Sequence, residues 1–278
     1  MSDTDFRTIS DIAYNEAGLV FPPEKVSLVQ SRIDRRLRKL KINKFSEYTA
    51  FVKSDQGLAE RKVMISSLTT NVSRFFRESH HFDILREQVL PNLVSRARAG
   101  GRVRLWSAGC STGQEPYSIA MTLLDVAPDS PTLDIKILAT DIDPNVIITA
   151  KHGCYEKMSL GDISEPFQKK YTEVVQNDRK TGFRMTEAVR NIVSFHELNL
   201  LSLWPISGRF DVIFCRNVVI YFDEGTQLSL WSRFESVTAP DGWLFVGHSE
   251  RLSKRFETTF VTVGPTAYQR PSHSDTQN

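Results

Sequence analysis

The sequence predicts an α/β protein: an open, mostly parallel sheet, preceded by a wholly helical segment and closed by an antiparallel hairpin. Three observations predict it. From Val103 onward, apolar runs of strand length alternate with helical patterns, as in a parallel sheet with crossover helices. The stretch LWSAGCSTGQEPYS, residues 105–118, passes from a strand through Ala108, Gly109, Cys110, Ser111, Thr112 and Gly113 into a helix. Small residues there let a ligand approach the backbone closely. Before about residue 85, apolar side chains recur only at helical spacing.

Composition narrows the classes. A chain of 278 residues with 40% apolar content has ample length for one large domain or two. No run approaches the roughly 20 apolar residues that span a membrane. The start, MSDTDFRTIS, has neither a basic n-region nor an apolar h-region, so no secretory signal is expected. Three cysteines, Cys110, Cys154 and Cys215, lie far apart without a CxxC pair. They read as reduced thiols of a cytoplasmic protein, with no metal site. The net charge of +2 decides nothing by itself.

In the first segment, Phe6, Ile9, Ile12 and Ala13 mark a helix that Gly18 and Pro22–Pro23 stop. Val26, Val29, Ile33, Leu37 and Leu40 share one face of a helix over 24–40. Its other face carries Arg32, Arg35, Arg36, Arg38, Lys39 and Lys41 against Asp34 alone. This is either a solvated face or a docking surface for an acidic partner. No aromatics interleave and no zinc-finger or RNA-binding motif accompanies it, which disfavours nucleic acid. Helices follow over 45–53, with Ser46 or Asn43 as a cap, and over 58–68.

The stretch TTNVSRFFRESHHF, residues 69–82, mixes polar groups with aromatics. Phe75, Phe76 and Phe82 suit a core, whereas Asn71, Ser73 and Arg77 suit a lid over a ligand. His80 and His81 have no partner at metal-ligand spacing and read as exposed or core-satisfied. A helix over 83–99 then leads into the first strand.

Further strands are expected over 135–140, 192–195, 210–215 and 243–246. In open α/β sheets ligands bind outside the carboxyl ends of strands. Asp141, Asn199, Arg216, Asn217 and Ser249 all fall at such ends. Segments 258–262 and 267–270 flank Gly264–Pro265 as a closing hairpin. Between Cys154 and Asn191, a polar turn at 177–182 separates two short apolar runs, giving a small hairpin or three-stranded insertion. Its edge serves either to pair with an extended peptide or as a mere connection.

A carboxylate ending the second strand after such a turn commonly takes both hydroxyls of a ribose, and Asp141 has that place. The arrangement also serves NAD, but the glycines of the turn are not spaced GxGxxG. The closing antiparallel pair is instead what Rossmann-like S-adenosylmethionine-dependent methyltransferases have.

Five motifs, TTNVSRFFRE, GCSTGQEPYS, ATDID, FCRNVVIYFD and GHSE, occur in this order and spacing. With them the chain resembles, over nearly its whole length, the CheR chemoreceptor glutamate methyltransferases of bacterial chemotaxis. The resemblance implies methyl transfer from S-adenosylmethionine to glutamate side chains of chemoreceptors, with S-adenosylhomocysteine as product. It implies an all-helical receptor-docking domain over 1–85 and a methyltransferase domain over 86–278, with a small β subdomain at about 155–191. The partners implied are the cytoplasmic methylation helices of chemoreceptors, with no nucleic acid, no membrane insertion and a monomeric chain.

Residue by residue, the resemblance places Asn71, Ser73, Arg77, Glu115, Asp141, Asn199, Leu200, Arg216 and Asn217 around the cofactor. Ser73 stands where the family usually has Thr. Asp141 would hold the ribose hydroxyls, Asn199 and Leu200 flank the adenine, and Glu115 meet the ammonium. Arg77 and Tyr221 match the residues nearest the transferred methyl. In some members the insertion binds a pentapeptide at the receptor's C-terminus. The turn VVQNDRKTGF is more polar and poorer in glycine than that pattern, so independence of the tether is expected. Two other functions fit the same residues: a methyltransferase for another carboxylate or signalling protein, and a non-catalytic S-adenosylmethionine-binding sensor.

Overall fold

Helices that end where the apolar period fails build the first part of the chain: α1 (Asp3–Ala17), α2 (Val26–Leu40), α3 (Phe45–Lys53) and α4 (Leu58–Leu68). The computed structural model describes residues 1–177, 180–252, 255 and 257–272. They divide into two units, Met1–Thr70 with Tyr221–Gln227, and Asn71–Ile220 with the residues from Leu228 onward.

In the first unit, α1 opens with a capping box: Ser2 Oγ accepts the Asp5 N–H at 3.2 Å, and Asp5 accepts the Ser2 N–H at 3.1 Å. The helix closes on Gly18 at φ 67°. Ile9, Ala13, Val29, Ile33, Tyr48, Val52 and Met64 are fully buried. The N-cap of α3 is Lys44, without a side-chain bond, rather than Ser46 or Asn43. Asn43 lies one residue before the cap, and Ser46 is already inside the first turn.

The basic face of α2 is smaller than its sequence predicts. Arg36 holds Glu60 with Nε at 2.8 Å and Nη2 at 2.6 Å, and Glu60 also accepts the Tyr48 hydroxyl at 3.0 Å. Arg32 donates to the Thr69 carbonyl and to Thr70 Oγ1, both at 2.8 Å. These two arginines flank the apolar stripe and tie α2 to α4 and its exit. Arg35, Arg38, Lys39 and Lys41 remain exposed. Tyr221 belongs to this unit, where its carbonyl accepts the Val20 N–H at 2.9 Å.

The second unit begins at Asn71, so residues 71–85 do not join the helical unit as the sequence suggests. Phe75, Phe82 and Leu85 are buried in the second unit's core instead. The helix expected over 83–99 starts earlier, as α5 (His80–Ile84), and widens to a π-helical turn over Leu85–Val89 before α6 (Leu90–Arg98). Pro91 has no N–H to continue an α-helical ladder, and a wider turn accommodates it.

The sheet contains β1 (Val103–Ala108), β2 (Ile135–Asp141), β6 (Val193–Glu197), β7 (Phe210–Cys215), β8 (Thr238–Val246), β9 (Val261–Gly264) and β10 (Ala267–Gln269). Their order is β6-β2-β1-β7-β8-β10-β9. The first five run parallel, and β10 pairs antiparallel with both β8 and β9. Helices α7 (Gln114–Val126), α8 (Pro144–His152) and α11 (Glu224–Val237) lie between strands. The strand order reverses between β1 and β7, and a crevice opens at such a switch point. Trp106 is fully buried and its indole N–H reaches Thr140 Oγ1 at 2.9 Å.

A second sheet is the three-stranded β3-β5-β4, from β3 (Cys154–Glu156), β4 (Thr172–Asn177) and β5 (Lys180–Met185), with α9 (Glu165–Tyr171) between β3 and β4 and α10 (Glu187–Asn191) leading out. Of the expected polar turn, Asp178 and Arg179 lie outside the described residues. Among the described residues no helix is long and apolar enough to cross a membrane, and no cluster of His, Cys, Asp and Glu is placed to hold a metal ion.

Candidate active site

The turn after β1 is built by its own backbone. Gly109 and Cys110 donate their N–H groups to the Thr140 carbonyl at 2.8 and 2.9 Å. Asp141 at the end of β2 then accepts from the Ser111 N–H at 2.8 Å and the Asp143 N–H at 3.0 Å. Burial raises the Asp141 carboxyl despite these two bonds. Gly113 caps α7 at φ 98°, and a Cβ there would meet Tyr155 Oη at 2.9 Å. Asn71 joins the same corner: its amide donates to Asp143 Oδ2 at 3.0 Å and its carbonyl accepts from Ser111 Oγ at 3.0 Å.

A second cluster centres on Arg216, which follows β7 and is buried. Its Nε donates to Glu115 Oε2 at 2.7 Å, and its Nη1 donates to the Arg77 carbonyl at 2.6 Å and to His81 Nδ1 at 3.1 Å. Ser107 Oγ takes the other Glu115 oxygen at 2.6 Å. The guanidinium also lies 5.3 Å from the Phe82 ring centre and 5.5 Å from that of Phe214. Glu78 stands 3.5 Å from Arg216 and accepts from the N–H of His248 at 3.1 Å. Burial opposes its ionisation, but the His248 bonds and the Arg216 charge hold its carboxyl below the usual range.

The structure thus brings Asn71 and Asp141 together in one corner, and Arg77, Glu115 and Arg216 in another. Asn217 adopts φ 60°, a conformation that Asn tolerates better than most residues. Asn199 lies just past β6, where the Leu198 N–H donates to the Asp141 carbonyl at 2.9 Å, and its Oδ1 accepts the Leu201 N–H at 2.9 Å. Leu200 is buried, and its carbonyl accepts from Trp204 Nε1 at 3.0 Å and Arg233 Nη1 at 2.6 Å. Ser73 and Arg77 line a cleft of about 780 Å³ with Glu78 and His248. Tyr221 belongs to the helical unit.

One organising residue has no role in the sequence reading, although it stands in the GHSE motif. Glu250 is buried and accepts from the backbone N–H groups of Asn217, Val218, Val219 and Gly247 at 2.8, 2.9, 2.9 and 2.6 Å. It clamps the turn after β7 to the end of β8. Gly247 leaves the room this needs, because a Cβ there would lie 2.6 Å from Asn217 Nδ2 and 2.7 Å from Glu250 Oε2. Ser107 and Glu78 were likewise unassigned, and His81, expected to be exposed or core-satisfied, is fully buried with hydrogen-bond partners; the three complete the Arg216 cluster.

The groups present fit a cofactor with ribose hydroxyls, an ammonium and a carboxylate. Asp141 at the end of β2 and Glu115 in the first turn of α7 are buried acceptors, and the guanidinium of Arg216 is held beside Glu115. Fold and strand-end chemistry together are those of an S-adenosylmethionine-dependent methyltransferase. Residues 71–268 match the family model described as "CheR methyltransferase, SAM binding domain", and residues 4–69 match "CheR methyltransferase, all-alpha domain". The chain belongs to the CheR methyltransferase family.

Curated relatives agree. A probable chemotaxis protein methyltransferase of Rhizobium etli is 47% identical over 92% of this chain and 96% of that protein. The chemotaxis protein methyltransferase of Escherichia coli is 40% identical over 96% of this chain and 91% of that protein. Among solved structures, the N-methyltransferase NodS of Bradyrhizobium japonicum in complex with S-adenosyl-L-homocysteine aligns with 15% identity and a TM-score of 0.33, covering 63% of this chain and 62% of that one.

Proposed function

We propose that this chain transfers a methyl group from S-adenosylmethionine to glutamate side-chain carboxylates on the cytoplasmic helices of chemoreceptors, forming glutamyl methyl esters, and that it acts in the cytoplasm as a monomer. The observation that carries this reading is the anchoring of Arg77. Its carbonyl is held at 2.6 Å by the buried Arg216, which in turn holds Glu115, while its side chain lines the open cleft.

When bound, S-adenosylmethionine supplies a methyl carbon made electrophilic by its sulfonium. Asp141 holds the ribose hydroxyls, Glu115 meets the ammonium, and Asn199 and Leu200 flank the adenine. Asn71, Ser73, Arg77, Arg216 and Asn217 complete the pocket. The substrate glutamate, with a reference pKa of about 4.3, is ionised at neutral pH and needs no general base. Arg77 orients its carboxylate, and the family resemblance alone proposes Tyr221 as a hydrogen-bond donor near the methyl. Such positioning alone supplies roughly 7–11 kcal/mol in favourable cases. The exposed cations of α2 favour approach of acidic receptor helices.

Incubation with labelled S-adenosylmethionine and receptor cytoplasmic fragments, followed by peptide mapping, tests the reading. It expects a methyl mass gain on glutamate residues. Methylation of other residue types only, or of a different class of molecule, would overturn it.

A further inference from the structure

Four arginines converge at the end of the sheet opposite the strand-end site. Arg96 sits in the last turn of α6, Arg102 and Arg104 lie at the entry to β1, and Arg209 immediately precedes β7. With Asp211 they line a concavity of about 340 Å³.

The local charge does not cancel. Asp211 is buried, and both of its oxygens are taken, one by the Arg96 guanidinium and the other by the Arg104 N–H at 2.7 Å. Arg104 is paired with Asp134 at 2.6 Å, and its Nη1 donates to the Val103 carbonyl at 2.8 Å and the Asp134 carbonyl at 2.9 Å. Arg96 also donates to the Arg102 carbonyl at 3.0 Å, which fixes the chain at the pocket's rim. Each of these two guanidiniums therefore has its own carboxylate. Arg102 and Arg209 have none: both are exposed and have no ion-pair partner among the described residues.

Two unneutralised guanidiniums beside two anchored ones form a site for a compact dianion. Guanidinium forks match phosphate oxygens in geometry and keep their charge at every physiological pH. We propose that this pocket binds the phosphate group of a small molecule, with Arg102 and Arg209 as its principal ligands and Arg96 and Arg104 as fixed walls. It is separate from the cofactor site, which lies at the carboxyl ends of the same strands. The proposal does not rest on the identity of the methyl acceptor.

The test measures thermal unfolding of the full chain at low salt, saturated with S-adenosylhomocysteine, against inorganic pyrophosphate and separately against ATP. A ligand that binds only the native state raises the unfolding temperature in proportion to its occupancy. The expected result is a concentration-dependent rise with pyrophosphate. In Arg102→Ser/Arg209→Ser the apparent affinity should fall at least about tenfold, with basal methyl transfer unchanged. A rise with ATP that exceeds that with pyrophosphate, and is lost in the same variant, assigns the phosphate to a nucleotide. Arg209→Lys keeps the charge without the fork and should bind at intermediate strength, a check should the double variant fold poorly. No rise up to about 10 mM pyrophosphate or ATP, or an equal rise in wild type and the double variant, overturns the proposal.

Discussion

Arg216 Nε donates to Glu115 Oε2 at 2.7 Å, joining the residue after β7 to the first turn of α7. The pair crosses the point where the strand order reverses, and both partners are buried. Arg216→Met leaves the Glu115 charge with only Ser107 for company, and removal of one partner of a buried pair costs about 3–5 kcal/mol. Urea unfolding should show a loss of that order, and adding Glu115→Gln should restore part of it. Strictly additive losses would contradict the coupling.

The same logic applies to Asp141 as the proposed ligand of the ribose. Asp141→Asn preserves volume but sets an amide against the N–H groups of Ser111 and Asp143. A hydrogen bond to a charged group contributes about 1.5–3 kcal/mol, so calorimetry should show S-adenosylhomocysteine affinity reduced about tenfold or more. Unchanged affinity would remove Asp141 from the cofactor site.

His81 predicts a pH dependence of stability. It is fully buried, with Nε2 3.2 Å from the Pro265 carbonyl and 2.9 Å from Thr266 Oγ1. A carbonyl only accepts, so Nε2 carries the proton and Nδ1 accepts from Arg216. Burial, then the charge of Arg216 and that of His80, push the imidazole down to about 3 from 6.5. Between these values the unfolded chain binds a proton that the native one refuses. Stability from His81 is therefore complete above 6.5 and is lost as pH falls through that window, by up to about 1.4 kcal/mol per pH unit. Burial raises the Asp141 and Glu250 carboxyls, which acts in the opposite sense, so the comparison with His81→Gln isolates the effect. The variant should show a flatter stability profile from about pH 7 to about pH 5; parallel profiles would contradict this reading.

The cations of α2 should separate into two kinds. Arg36→Glu places a second carboxylate against buried Glu60 and should cost about 3 kcal/mol or more in denaturant unfolding. Arg35→Glu/Arg38→Glu, on exposed positions, should shift stability by no more than about 0.5 kcal/mol per substitution. The double reversal should slow methyl transfer to receptor fragments, most strongly at low salt, where the Debye length exceeds about 10 Å. Intact activity in that variant would reject electrostatic docking through this face.

The strands were the most legible feature. All six residues of Phe210–Cys215 are buried, and the expected strand coincides with the observed one. The strand-end positions of Asp141, Arg216 and Asn217 were readable because the bounds of β2 and β7 were. The side-chain partnerships were not. Glu250 acts on backbone N–H groups, which carry no residue signature. The i, i+4 spacing of Arg32 and Arg36 marks one flank of α2 but does not reveal Glu60 or Thr70 beneath it. Phe75 and Phe82 are apolar in any reading, and periodicity does not say which of two cores they enter.

Glutamate methylation of receptors is decided by transfer of labelled methyl from S-adenosylmethionine to receptor cytoplasmic fragments, with and without their C-terminal tails. Base-labile label is expected on both fragments, with transfer lost in Arg77→Ala at saturating cofactor. Absence of label from both fragments while cofactor binding is intact would contradict it, as would normal turnover by Arg77→Ala.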